Sequence, residues 1–161
     1  MTQNNTQKKI LVYAHWAGLP DPMLMGSLNI TRSKGKEIFS FEYADAWLKS
    51  GISQTLDPDL QLYSGPQYVK EEKTNFGIFL DSCPDRWGKI LMERREAVLA
   101  RKENRKSKTL LESDFLLGVY DEHRMGALRF KEDESGSFLN DNRDMATPPW
   151  TSLRELEQAS L

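Results

Sequence analysis

The chain has 161 residues, a net charge of −2 and an apolar fraction of 39% that includes four Trp and seven Phe. That composition excludes a disordered polypeptide, suits one domain with its own core, and supplies no bulk electrostatic pull toward nucleic acid or a membrane surface. The lone cysteine, Cys83, excludes an internal disulfide framework and fits a reducing cytoplasm, and no apolar run approaches the roughly 20 residues that a spanning helix needs.

Residues 1–8 read as a flexible, polar leader without the apolar stretch of a signal peptide. Ile10 to His15 is rich in β-formers and predicts a strand; turn residues 17–22 follow, and Met23 to Ile30 predicts the returning strand. Glu37 to Tyr43 alternates Phe39, Phe41 and Tyr43 with polar residues, which predicts a third strand with one wet face. A short helix over 44–49 should end at Gly51, and Leu60, Leu62 and Tyr63 suggest another extended piece. Asn75 to Leu80 reads as helical.

Ser82-Cys83-Pro84-Asp85 offers a capping serine, an early proline and an acid for the best-marked helix, which fades near Lys102. Trp87, Ile90, Leu91, Ala97 and Val98 recur along it at helical spacing and predict one buried stripe. A second helix over 111–119 and a final strand over 126–130 complete a subdomain spanning 9–132. Residues 133–149 carry a linker composition, and residues 150–161, beginning at Trp150, read as the start of a further helix. The expected fold is α+β: a small antiparallel sheet or partly open barrel, then helices and a returning strand.

Machinery for phosphate transfer is missing from the pattern. The ten glycines form neither GxGxxG nor GxxxxGK, and Asp114-Phe115-Leu116-Leu117-Gly118 misplaces the glycine of a metal-binding Asp-Phe-Gly. His123-Arg124 is followed by Met125 where a catalytic loop needs aspartate. His15 and His123 lie far apart and Cys83 has no CxxC partner, so no metal site is read. Cys83 near a helix start could have a lowered thiol pKa, but without a base beside it the structural reading is preferred. The basic run from Arg86 to Lys108 could contact phosphates; lacking interleaved aromatics, it reads first as a solvated helix face.

Two stretches carry a resemblance. Phe79-Leu80-Asp81-Ser82-Cys83-Pro84-Asp85-Arg86-Trp87-Gly88-Lys89-Ile90-Leu91-Met92-Glu93-Arg94 resembles the F-x-x-x-x-PD-GWGR-LL-R stretch of HipA-like serine/threonine kinases. Asp114 to Phe130, ending Met125-Gly126-Ala127-Leu128-Arg129-Phe130, resembles the family's later helix, loop and strand ending in MGALRF. The opening strands, with Gly26 and Leu28, are similar to the family's leading sheet, so the resemblance spans about residues 9–132. Arg86 stands where the family often has glycine, and arginine does not readily adopt positive φ.

The resemblance implies the amino-terminal, non-catalytic portion of a toxin kinase from a bacterial toxin–antitoxin system. Its implied partners are a kinase body, in the same or a separate chain, and a helix-turn-helix antitoxin. ATP and magnesium would belong to the full-length family, whose catalytic residues are expected beyond residue 161; no catalytic, cofactor or metal residue is assigned here. The motif or interface candidates are Phe79, Leu80, Pro84, Asp85, Trp87, Gly88, Met125, Gly126 and Ala127. Trp87 reads first as a core anchor and second as a contact with a kinase body or partner. A stand-alone regulator of a separate HipA-like kinase is the alternative, and a nucleic-acid module built on the basic helix comes third.

Overall fold

Alternating apolar residues in the first third of the chain build the sheet on which everything else rests. The computed structural model describes residues 6–33, 35–70, 72–121, 124 and 126–139. Its sheet holds β1 (Thr6–Ala14), β2 (Met23–Ser33), β3 (Lys36–Tyr43), β4 (Gln67–Tyr68) and β5 (Leu128–Lys131). All pairings are antiparallel, in the order β4-β3-β2-β1-β5. The sheet is open and does not close into a barrel.

Register explains the core. Ile10 faces Leu28, which faces Phe41, while Val12 sits between Phe130 and Gly26, itself opposite Tyr43. Because side chains alternate in a strand, these residues share one face. That face is buried under Trp47, Phe76, Phe79 and Leu116. Gly26 is the thin point of its row: a Cβ there would overlap the carbonyl of Glu42 and come within 2.6 Å of Phe41 Cζ. The glycine therefore lets the Phe41 ring lie over β2.

The helices are α1 (Asp45–Leu48), α2 (Gly77–Asp81), α3 (Arg86–Lys102) and α4 (Glu112–Gly118). Asp57 opens α2: its Oδ2 accepts from Ile78 N at 2.8 Å, so an orphan donor of the first turn is satisfied. Asp114 does the same for α4, accepting from Leu111 N at 3.0 Å. At the far end of α3, Asn104 takes φ 52°, with Arg105 N donating to Ala100 O at 2.9 Å. This left-handed cap terminates the helix where the sequence turns polar.

Several sequence expectations need correction. β1 starts at Thr6, opposite Arg32, so residues 6–8 of the expected leader belong to the sheet. Residues 60–63 form no strand: Leu60 is buried while Leu62 and Tyr63 are exposed, and the short edge strand is Gln67–Tyr68. Ser82 closes α2, with its Oγ donating to Ile78 O, and Asp85 is the cap of α3, accepting from Gly88 N at 2.7 Å. Ser82 and Asp85 are both good caps by type; the preceding helix uses up the serine. The linker expected from residue 133 begins with chain that folds back, Leu139 N donating to Phe130 O at 2.7 Å and Phe138 meeting the edge of Tyr13. Residues 1–5 of the leader, 140–149 of the linker and the helix at 150–161 lie outside the described residues.

Candidate functional site

The two motif stretches, separated by some twenty residues of chain, converge on one junction. Phe79 of α2 is fully buried and packs near Phe41, Phe76 and Phe130, with ring centroids 5.5, 6.0 and 6.2 Å away. Leu80 is half-buried, and its carbonyl accepts from Cys83 N. Pro84 then lies against the first turn of α3, where Gly88 is buried because a Cβ would come within 2.7 Å of Pro84 Cβ. Asp85 caps that turn. Arg86 causes no strain: it is the first helical residue, and Asn104 is the single non-glycine at positive φ among the described residues.

From the other stretch, Gly126 takes φ +90°, a conformation that glycine adopts without steric cost, and lies beside Ser82 Oγ. Ala127 O accepts from His15 N at 2.8 Å, which seats β5 on β1. Met125 lies outside the described residues.

Arg124 locks the junction, and sequence reasoning passed over it. Its residue is 8% exposed. Nη1 donates to Leu116 O at 2.6 Å and to Ser82 O at 3.3 Å, and Nη2 donates to Val119 O at 3.1 Å. These carbonyls end α2 and α4, where unpaired oxygens and helix dipoles favour a cation. The guanidinium also stacks 4.5 Å from the Phe130 ring centroid. Burial pushes Arg124 down to about 10, opposed by Asp121, so it remains charged at neutral pH. The sequence signal was thin: one arginine between His123 and Met125 in a polar-looking loop gives no hint of burial.

A second cluster ties α4 to the sheet. Arg32 Nε donates to Glu37 at 2.7 Å, and its Nη2 donates to Ser113 Oγ at 2.8 Å and Asp114 at 2.9 Å. Asp114, the acid of the misplaced Asp-Phe-Gly, is thus committed to a helix cap and an ion pair. Lys89 joins α3 to α4 through Glu112 at 3.0 Å and sits 5.0 Å from the Phe115 ring centroid. Cys83 is pushed up to about 11, first by burial and then by Glu112, so its thiol is protonated at neutral pH. A protonated thiol is a poor nucleophile.

Trp87 overturns the core expectation. It is 58% exposed, and Val98 is 48% exposed; the buried residues of α3 are Gly88, Met92 and Ala100. Of the stripe predicted from spacing, Trp87 and Val98 point outward while Ile90, Leu91 and Ala97 are half-buried, and Met92 makes the close approach to Gly118 of α4. The basic run is also partly neutralised: Glu96 takes Arg105 through both oxygens, at 2.6 and 3.1 Å, and accepts from Lys108 N. Arg86, Arg94, Arg101, Lys102 and Lys106 stay exposed.

Among the described residues, no group of three or more His, Cys, Asp or Glu is gathered where it could hold a metal ion, and no helix is long and apolar enough to cross a membrane. Scans against family models, curated proteins and solved structures return no match for this chain.

Proposed function

We propose that the chain is the non-catalytic amino-terminal portion of a HipA-like serine/threonine kinase, scaffolding the kinase body and its antitoxin contacts. The observation that carries this reading is the convergence of both family-like stretches on one junction, with Arg124 bridging the ends of α2 and α4. Residues that serve a shared junction have a reason to recur as a pair. In this reading ATP and magnesium are held by the kinase body, and the residues described here position that body without touching the transferred phosphate.

The test is binding to a HipA-like kinase body from which its own leading subdomain has been removed. Co-elution of the two polypeptides as a stoichiometric complex is the expected result. A kinase body that elutes alone at concentrations well above the micromolar range overturns the scaffold reading. The alternative, a stand-alone regulator, shares the binding and differs in its effect: it lowers phosphate transfer by an already complete kinase. The exposed Trp87 is the observation that favours keeping it, since a free regulator needs an outward anchor.

A further inference from the structure

We propose that the outward stripe of α3 is a docking surface for an acidic amphipathic helix of another protein. Helical spacing aligns Trp87, Leu91, Arg94, Val98 and Arg101 on one side of α3, a stripe about 21 Å long. Trp87, Arg94, Val98 and Arg101 are exposed and Leu91 is half-buried. An exposed tryptophan beside aliphatic and guanidinium groups is the composition of a binding centre.

Charge complementarity names the occupant. The stripe itself carries two arginines and no carboxylate. Glu96 lies on another side of the helix, engaged with Arg105 and Lys108 N, and Glu103 is paired with Arg105 at 2.5 Å. A partner helix with an apolar face would cover Trp87, Leu91 and Val98, and flanking Glu or Asp side chains would take the two guanidinium forks. A second copy of this chain fits poorly, because it would set Arg94 and Arg101 against the same arginines. Nucleic acid would leave Leu91 and Val98 without a partner, since phosphate contact uses only the cations. The inference does not rest on the kinase-family reading, which stands or falls with its own binding test.

The probe is a yeast-displayed library of helical peptides, selected against the whole chain. Recovered peptides should pair an apolar face with Glu or Asp, and their affinity should fall at least about tenfold for Trp87→Ala and for the double variant Arg94→Glu/Arg101→Glu. Both variants should keep the parent's melting midpoint; Val98→Asp supplies an independent probe if either fails to fold. Binders without carboxylate enrichment, or binders that ignore all three variants, overturn the proposal. So does tighter binding of an oligothymidylate, or of a synthetic peptide of residues 140–161, than of any selected acidic helix.

Discussion

Arg124 is a full charge placed where a small domain has little water to offer. Three carbonyl oxygens and the face of Phe130 replace its hydration, and its Nε has no partner among the described residues. Arg124→Ala removes the cation and leaves the carbonyls at the ends of α2 and α4 unpaired, so a loss of about 3 kcal/mol is expected in urea unfolding. Arg124→Lys should recover only part of it, because a single ammonium cannot follow the forked geometry. A full recovery by lysine would mean that charge alone, without the fork, holds the junction. The pH dependence at alkaline pH follows from two other buried groups. Burial raises the Cys83 thiol to about 11 from 9.0, and raises Tyr43 to about 12 from 10.0 with help from Asp57. Above pH 9 the unfolded chain releases these protons before the folded one does, so the unfolded state binds fewer protons and stability falls as pH rises. Their stabilising effect is complete below pH 9 and is lost between pH 9 and pH 12. Arg124, lowered by burial to about 10, acts with the opposite sign above pH 10, so urea midpoints should decline between pH 9 and pH 10, and Cys83→Ala should remove most of that decline.

At the level of elements, the first three strands were legible because period-two alternation survives in residues such as Phe39, Phe41 and Tyr43, and their register then dictates the buried face, whereas the short edge strand Gln67–Tyr68 carries no such pattern. The ends of α3 were half legible. Its C-terminus follows from a polar run and an asparagine in the left-handed region, whereas its start was assigned to Ser82 because nothing local says that α2 already occupies that residue. The stripe on α3 was misread for a related reason. Apolar spacing reports amphipathicity and is silent on which side faces α4; Met92 against Gly118, not Trp87, makes that close approach. Trp87→Ala should therefore cost under about 1 kcal/mol, far from the 3–5 kcal/mol of a core aromatic. Gly26→Ala should be worse, at about 3 kcal/mol or more, since the added methyl meets backbone at Glu42 and Tyr43 as well as the Phe41 ring. Thermal melts of the two variants side by side would reveal a reversed order, which would contradict the assigned faces of β2 and α3.

On the scale of the whole molecule, a five-stranded open sheet packs residues of α1, α2 and α4 on one face, α3 packs on α4, and the last strand returns to the first. That return brings Gly126 and Ala127 to Ser82 and His15, so two motif stretches distant in sequence become one structural unit. The α+β class was legible from element order alone. The junction was not, because its central contact joins Arg124 to main-chain carbonyls 5, 8 and 42 residues away, and main-chain acceptors leave no trace in a sequence. The proposed scaffold role requires that the chain act on a HipA-like kinase body. The most direct measurement is phosphate transfer from ATP and magnesium by a HipA-like kinase body lacking its leading subdomain, with and without this chain added. The account predicts no transfer by this chain alone, little by the isolated body, and recovery when the two are mixed. Transfer by this chain alone, or a kinase body whose activity is indifferent to it, would contradict the account.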